Sequence, residues 1–337
     1  MKLTFLIGNG FDIAIANKLG IYKTSYEDMY AWNEKYGFNK IEQRENKLVK
    51  SIYATNLWSS FEDGLVWYFN SIESPQELKN FIKDKDQFCG YLYDYLEKFY
   101  ERQAIKRSFV DSCKGEFSES VLGFIDRMDS ADKEKIINFI MSKCNYNETI
   151  HIDFINFNGT NTLELLRDNL KSGKKLFFKC GAKTFKVVLD NLYYPHSKLG
   201  WKAPYKFAFG TTEISQINPK IQIPKEFCNL LDKTNHNFDE WIKDTDLFIT
   251  HGLSFGKSDE YYWCKVAKKI SSGSMLVDFP FVTKREKMLV NAMNEIKNQR
   301  ISRIINHKYV PKVNGKIIVS NLSSFKPQQD SSGIFSF

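Results

Sequence analysis

The sequence predicts an α/β protein whose mainly parallel sheet is interrupted, after the first strand, by a large helical insertion. Two observations predict this class. Short apolar runs alternate with amphipathic stretches in the second half of the chain, as in strand–helix–strand units. Between residues 27 and 145, apolar residues instead recur at helical spacing. Because a crossover between neighbouring strands needs far fewer residues, we expect this segment to be an insertion or cap.

Four short apolar runs are the expected strands of one sheet, and three other segments also have strand patterns. Helical patterns follow the later runs, in "SDEYYWCKVAKKI" and "TKREKMLVNAMNEIKN". The four runs are residues 2–7, 150–157, 246–250 and 274–279, and the other segments are a pair at 175–189, then 205–210 and 316–320.

These patterns divide the chain into three parts. Residues 1–26 and 146–325 are expected to form the α/β domain, and residues 27–145 the helical insertion. Residues 326–337 are polar apart from their final aromatics and are expected to be a loose tail.

Composition excludes several classes of protein. Hydrophobic residues make up 42% and charged residues 26%, which is typical of a globular chain rather than a disordered one. No apolar run approaches membrane-spanning length, and glycines and Asp12 break the N-terminal run. We therefore expect a cytoplasmic protein with no signal peptide and no membrane partner. The six cysteines lie far apart, without a C-x-x-C pair, and are expected to be reduced.

The net charge of +8 is modest for this length, and much of it falls in residues 170–186. There the lysines alternate with apolar residues. This pattern fits a hairpin with a solvated outer face, and the alternative is a phosphate-binding surface.

The segment "FLIGNGFDIA" joins the first strand to a predicted helix through Gly8, Asn9 and Gly10, and Asp12 follows. In a dinucleotide-binding turn, glycines let the backbone approach a pyrophosphate and the helix N-terminus offers N–H groups to it. The complete G-x-G-x-x-G pattern is absent, because Ile13 occupies the third glycine position. The segment fits either a nucleotide-binding turn or a tight turn capped by Asp12.

Three other expected strand ends are followed at once by small polar residues. Because ligands bind beyond the carboxyl ends of parallel strands, we expect these segments to converge with the first turn on one crevice. The alternatives are local: Asn158 and Ser258 fit helix caps, and His196 fits an ordinary turn. The residues that carry the expectation are Asn158, Thr160, His196, Gly252, Ser254 and Asp259.

Five short motifs occur in the order GNGFD (8–12), TSYEDM (24–29), W-x-x-FE-x-x-L (58–65), FNGTNTLE (157–164) and GLSFGKSDEYYW (252–263). In this order they resemble the AbiH family, which comprises bacterial proteins linked to abortive phage infection. The resemblance extends over residues 1 to about 270, and it implies a role in antiphage defence.

The AbiH family in turn resembles the sirtuin-like, or DHS-like, group of NAD-binding folds, which implies a Rossmann-like sheet. Those proteins carry a Gly-rich first turn, an Asn after a central strand, a His-Gly after a later strand and a Gly-x-Ser-Leu turn. The matching residues here are, in that order, Gly8 with Gly10, Asn158, His196, and Gly252 with Ser254.

The sequence departs from the sirtuin-like pattern beside the matched residues. Ser197 follows His196 where glycine is usual, and Gly159 stands where an aromatic residue is usual. Leu253 occupies the usual histidine position, with His251 two residues earlier. These departures bear on catalysis more than on ligand binding.

The resemblance implies that NAD or a related nucleotide is the substrate or ligand, and that no metal is required. Cleavage of the nicotinamide–ribose bond needs a group that positions the ribose or water and a base that titrates near neutral pH. Asn158 fits the first role and His196 the second. The residues expected to bind the nucleotide are Gly8, Asn9, Gly10, Asp12, Thr160, Gly252, Ser254 and Asp259.

Three functions follow as hypotheses. The first is an NAD glycohydrolase-like toxin triggered by phage. The second is a non-enzymatic nucleotide sensor whose helical insertion contacts a partner, such as a phage-derived trigger or a second copy of the chain. The third is a toxin that acts on nucleic acid, supported only by the net charge and the lysines of residues 170–186.

Overall fold

The strands in the described part of the chain form one seven-stranded sheet. The computed structural model describes residues 1–19, 24–25, 28–29, 45–50, 68, 71–97, 107–145, 148–172, 175–196, 198, 237–256, 259–280, 298–304, 313 and 315–320. The strands are β1 (Lys2–Ile7), β2 (Ile150–Asn156), β3 (Leu176–Cys180), β4 (Lys183–Tyr193), β5 (Leu247–His251), β6 (Met275–Phe279) and β7 (Ile317–Val319).

Helices cover this sheet and occupy most of the described chain between β1 and β2. Residues 237–242 and 298–304 are also helical. The bounded helices are α1 (Asn9–Leu19), α2 (Pro75–Tyr95), α3 (Arg107–Leu122), a 3₁₀ turn (Phe124–Arg127), α4 (Ser130–Lys143), α5 (Thr162–Lys171) and α6 (Glu260–Ser271).

The four strands predicted for one sheet are confirmed as β1, β2, β5 and β6. They are mutually parallel neighbours, and β1 lies between β2 and β5. In this register Ile7, the last residue of β1, lies beside Asn156 on one side and His251 on the other. The segments that follow these three residues therefore leave the sheet at the same edge.

The strand order is β3-β4-β2-β1-β5-β6-β7, and every pairing is parallel except that of β3 with β4. Numbered along the chain, the six parallel strands have the spatial order 3-2-1-4-5-6. The direction of winding reverses between β1 and β5. In open α/β sheets, ligands bind in the crevice at this reversal, outside the carboxyl ends of the strands.

The predicted pair at 175–189 is confirmed as the antiparallel β3–β4 hairpin. Its β4 strand extends to Tyr193 because it also pairs with β2 in the sheet interior. The predicted strand at 316–320 is confirmed as β7.

The described elements between α1 and β2 are all helical. Helix α2 begins with a capping box, in which Ser74 and Glu77 exchange hydrogen bonds between side chain and backbone. Helices α3 and α4 pack directly on the sheet, since Phe117 and Ile140 belong to the same buried cluster as Phe154 of β2. The second half of the predicted insertion thus forms part of one of the two layers that cover the sheet.

The two faces of the sheet bury separate apolar clusters. Along β1, Phe5 and Ile7 face the cluster with α1, α3, α4 and α5, while Leu6 faces the cluster with α6. This alternation is the period-2 pattern of a strand buried on both faces. It explains why residues 2–7 read as a continuous apolar run.

Some predicted segments lie outside the described residues: the strand at 205–210, most of the helix after 280, and the tail at 326–337. Among the described helices, none has the length and apolar character needed to cross a membrane. Burial raises the pKa of Cys89 to about 12 and that of Cys180 to about 11, so both buried thiols stay protonated near neutral pH.

Candidate functional site

The candidate site lies at the edge of the sheet where β1, β2, β4 and β5 end. Most of the residues predicted from the motifs lie in the segments that follow these four strands. Many of their polar side chains are buried, which requires hydrogen-bond partners. The buried polar residues at this edge include Asp12, Asn156, Asn158, Thr160 and His196.

The turn after β1 and the loop after β5 are joined backbone to backbone. The N–H of Gly8 donates to the carbonyl of His251 at 2.9 Å, and the N–H of Gly10 donates to the carbonyl of Gly252 at 3.0 Å. A Cβ atom on Gly8 would lie 2.5 Å from the carbonyl oxygen of Gly252. We call this contact the glycine joint.

Gly252 is required in the glycine joint for two reasons. Its φ is +63°, in the left-handed region that disfavours a side chain. A Cβ atom at this position would also lie 2.6 Å from the Cα of Gly10. Glycine therefore lets the two segments approach more closely than any other residue allows.

Asn158 ties the loop after β2 to the glycine joint. Its side-chain Nδ2 donates to the carbonyl of Gly8 at 2.9 Å. Its own N–H donates to Oδ1 of Asn156 at 3.1 Å, which fixes the start of the loop. Asn158 thereby connects β1 and β2 through a buried amide rather than capping a helix, since the α5 N-cap residue is Asn161.

A buried carboxylate lies in the first turn of α1. Thr160 donates its hydroxyl to Oδ2 of Asp12 at 2.6 Å, and both side chains are buried. The negative charge of Asp12 is favoured there because the N-terminus of a helix carries positive partial charge. Asp12 thus links α1 to the segment that leads into α5.

Tyr194 follows β4 and lies close to the same carboxylate. Burial, followed by the charge of Glu164, raises the pKa of the Tyr194 phenol, and the charge of Asp12 contributes. A hydrogen bond with the side chain of Asn156 opposes that shift. Tyr194 is therefore a neutral hydroxyl at physiological pH. Lys198 lies over its ring, with Nζ 5.3 Å from the centroid.

His196 and Asp259 form a pair that joins the end of β4 to the start of α6. Nε2 of His196 lies 2.9 Å from Oδ1 of Asp259, and only 5% of the histidine side chain is exposed. The ring packs edge-on against Phe157, with centroids 5.4 Å apart. A carboxylate partner favours the tautomer that carries its proton on Nε2 and holds the ring in one orientation.

The predicted residues thus form two groups, and two residues lie apart from both. One group is the glycine joint with Asn158, Asp12 and Thr160, and the other is the His196–Asp259 pair. Phe157 connects the groups, because it contacts His196 and directly precedes Asn158 in the chain. The side chain of Asn9 points to Thr24, donating to its carbonyl at 3.1 Å. Ser254 is exposed, and its carbonyl accepts from Arg303.

Arg300 is a residue of this edge that the sequence motifs did not indicate. Its guanidinium forms a buried pair with Asp278 and donates to the carbonyl of Leu253 at 2.9 Å. It also lies over the ring of Phe255, 5.0 Å from the centroid. Phe255 has a φ of +54°, an uncommon conformation for a bulky residue. A sequence signal for the pair was the acid Asp278 within the apolar run of β6.

His251, the displaced histidine of the sequence pattern, belongs to the core. Its ring stacks on Phe279 at 4.9 Å and on Phe5 at 6.0 Å. Burial, and then the charge of Arg127, lower its pKa well below the ordinary value of 6.5, while a backbone hydrogen bond at Ser120 opposes this shift. His251 is therefore a neutral aromatic side chain.

A family model described as bacteriophage abortive infection AbiH matches residues 4–279. The match begins in β1 and ends at the last residue of β6, so it includes the glycine joint and the His196–Asp259 pair. Among curated proteins, no sequence match to the chain was found.

Proposed function

Since the chain belongs to the AbiH family of bacteriophage abortive infection proteins, we propose that it contributes to antiphage defence by binding and cleaving NAD or a related nucleotide. The proposed site is the edge of the sheet formed by the glycine joint, Asn158 and the His196–Asp259 pair. The nucleotide is the substrate, and the bond cleaved joins nicotinamide to ribose.

The observation that carries this proposal is the strand order. The six parallel strands follow the order 3-2-1-4-5-6 of Rossmann folds, in which dinucleotides bind where the order reverses. In this chain the reversal lies between β1 and β5, where Gly8, Gly10 and Gly252 meet. The sirtuin-like variant of the fold is part of the proposal, on the strength of the matched motifs.

The buried polar groups fit the ribose better than the pyrophosphate. Asp12 is an acceptor in the first turn of α1, where it would repel a phosphate but accept hydrogen bonds from hydroxyl groups. Thr160 supplies a hydroxyl beside it. We assign these two residues to a ribose.

The His196–Asp259 pair supplies the base. Water attacks C1′ of the ribose, the bond to nicotinamide breaks with its electron pair leaving on the neutral nicotinamide, and the proton of the water passes to His196. Asp259, whose Oδ1 lies 2.9 Å from Nε2, orients the ring and stabilises the positive charge that His196 gains when it accepts the proton. Asn158 positions the ribose or the water through its place beside Gly8.

A specific observation favours the sensor as the second candidate. The N–H groups of Gly8 and Gly10 and the amide of Asn158 already donate to backbone carbonyls within the protein. A site whose donors stabilise its own loops can bind a nucleotide and change those loops without accelerating a reaction. This candidate predicts saturable binding and no turnover.

The test is to incubate the purified protein with NAD, follow nicotinamide and ADP-ribose by chromatography, and measure binding by calorimetry. We expect both products in equal amounts. Binding without product would support the sensor instead of the enzyme. If the protein neither binds NAD nor releases product, the proposed nucleotide site is wrong. Asn158→Asp, which keeps the size of the side chain, is expected to reduce binding, because a carboxylate cannot donate to the carbonyl of Gly8.

A further inference from the structure

We propose that the outer face of the β3–β4 hairpin binds single-stranded nucleic acid, independently of the nucleotide site. The surface consists of Lys175, Phe177, Lys179 and Lys186, which we call the hairpin strip. Its expected ligand is an unpaired stretch of RNA or DNA, whose phosphates contact the lysines while a base stacks on Phe177.

The exposure of Phe177 is the observation that indicates a binding partner. Among the described residues it is the exposed large apolar side chain, with 54% of its surface accessible. Its neighbours Phe178 and Cys180 are completely buried in the cluster beneath the sheet. The alternation of the strand therefore fixes Phe177 on the outer face.

The strand register surrounds this ring with positive charge. Lys179 is two residues after Phe177 in β3, so it lies on the same side of the sheet, and Lys175 directly precedes the strand. Lys186 is its direct partner across the antiparallel pairing. Partners in such a pairing have Cβ atoms about 5 Å apart. All three lysines are exposed.

This combination matches the chemistry of single-stranded nucleic acid. Proteins bind unpaired strands through a positively charged surface that follows the phosphates and through aromatic rings on which bases stack. In a duplex the bases are already stacked on one another, so Phe177 would gain no base partner. The hairpin strip therefore favours unpaired over paired strands.

Two acidic residues on the same face of the sheet have partners among the described residues. Asp190 of β4 lies 2.9 Å from Nδ1 of His151, and Asp153 of β2 lies 2.7 Å from Nζ of Lys2. Lys2 therefore compensates the charge of Asp153, whereas His151 compensates that of Asp190 only in its protonated form. The lysines of the hairpin strip are exposed to solvent together with Phe177.

Edge protection alone explains the lysines but not the phenylalanine. β3 is an edge strand of the sheet formed by the described residues, and lysines on an edge discourage pairing with another chain. An exposed aromatic ring in the middle of that edge has the opposite effect. Phe177 is therefore better explained by a ligand that also needs the lysines.

The test is fluorescence anisotropy with a labelled oligouridine or oligothymidine of about 12 nucleotides. We expect the parent to bind, with log Kd rising with log salt at a slope of about 2, since three lysines each contribute about 0.7. Phe177→Ala should weaken binding about 5- to 100-fold and keep this slope. Phe177→Trp should retain binding.

A matched pair of triple variants tests the lysines. Replacing Lys175, Lys179 and Lys186 by Ala removes three charges and should abolish binding. Replacing the exposed Lys79, Lys114 and Lys268 removes the same charge elsewhere and should leave binding within about 2-fold. Thermal melting checks that each variant is folded.

Three outcomes would overturn the proposal. Equal affinity for a duplex of the same length would remove the stacking role of Phe177. A parent that does not bind would leave the lysines as protection of the edge strand. A parent that self-associates, with Phe177→Ala monomeric, would make the strip a contact between copies of this chain.

Discussion

The two halves of the candidate site are built in different ways. The glycine joint is made of backbone: Gly8, Gly10 and Gly252 contact one another through N–H groups, carbonyls and Cα atoms. The His196–Asp259 pair is made of side chains, which come from segments 63 residues apart. The first half has no side chain to substitute, whereas the second can be altered atom by atom.

Because of this difference, the contribution of each half to stability and its contribution to catalysis must be tested with separate variants. A substitution in the glycine joint changes the shape of the loops and therefore the stability of the fold. A substitution in the His196–Asp259 pair can change proton transfer while the loops stay in place. Measuring stability and turnover for both halves tests whether they belong to one site.

The largest effect is expected for His196→Ala. If His196 is the base, the rate of NAD cleavage should fall about 10²- to 10⁴-fold, because proton acceptance from water is lost. Asp259→Asn should also lower the rate, because an amide can hold the other tautomer of the ring. Both rates are measured by nicotinamide release at saturating NAD.

The melting temperature of the same two variants is the control. Asp259→Asn keeps the size of the side chain, so the melting temperature should stay within a few degrees of the parent. If both variants cleave NAD at the rate of the parent, the His196–Asp259 pair has no role in catalysis, and His196 only packs against Phe157.

Gly252→Ala should destabilise the fold by about 2 to 5 kcal/mol. Left-handed backbone costs about 1 to 2 kcal/mol for a residue with a side chain, and overpacking of the joint adds about 1 to 3 kcal/mol. Urea unfolding measures the change.

Two other glycines separate the contributions. Gly315 has a φ of +76°, and a Cβ atom added there would have no neighbour within 4 Å, so Gly315→Ala should show the backbone cost alone. Gly115 lies in α3 with open space around it, and Gly115→Ala should stabilise by about 0.5 to 1 kcal/mol. If Gly252→Ala and Gly315→Ala lower the free energy of unfolding equally, the added Cβ atom is accommodated in the glycine joint without a cost from overpacking.

The smallest effect concerns pH. The pKa of His251 in the folded protein lies well below 6.5. Just below pH 6.5 the histidine therefore binds a proton in the unfolded protein but not in the folded protein. The stability that depends on neutral His251 is therefore complete above pH 6.5 and decreases as the pH falls below 6.5.

His251→Phe should remove this loss and keep the stacking on Phe5 and Phe279. The difference in unfolding free energy between parent and variant, measured from about pH 7 to about pH 5, isolates the histidine from groups common to both. Charged groups near it, Arg127 with Glu116 and Glu119, are the same in the two proteins. Parallel curves would mean that His251 has the same pKa in the folded and the unfolded protein.

The order of the elements was predictable because it depends on local periodicity. Residues 2–7 and 274–279 are apolar on both faces, and this pattern requires a strand buried on both sides. The hairpin was predictable from the alternation of lysines with apolar residues, which matches one buried and one exposed face. The role of the segment after β1 was harder, since helical spacing in α3 and α4 does not say what their buried faces contact.

The sequence by itself determined the family, the strands and the polar segments at the strand ends, because each is written in contiguous residues. Only the tertiary structure decided which polar groups meet. Asn158 reaches Gly8 across 150 residues, and Arg300 reaches Asp278 and Leu253 from a distant helical segment. Such contacts depend on strand order, and strand order is a property of the whole sheet that no local pattern contains.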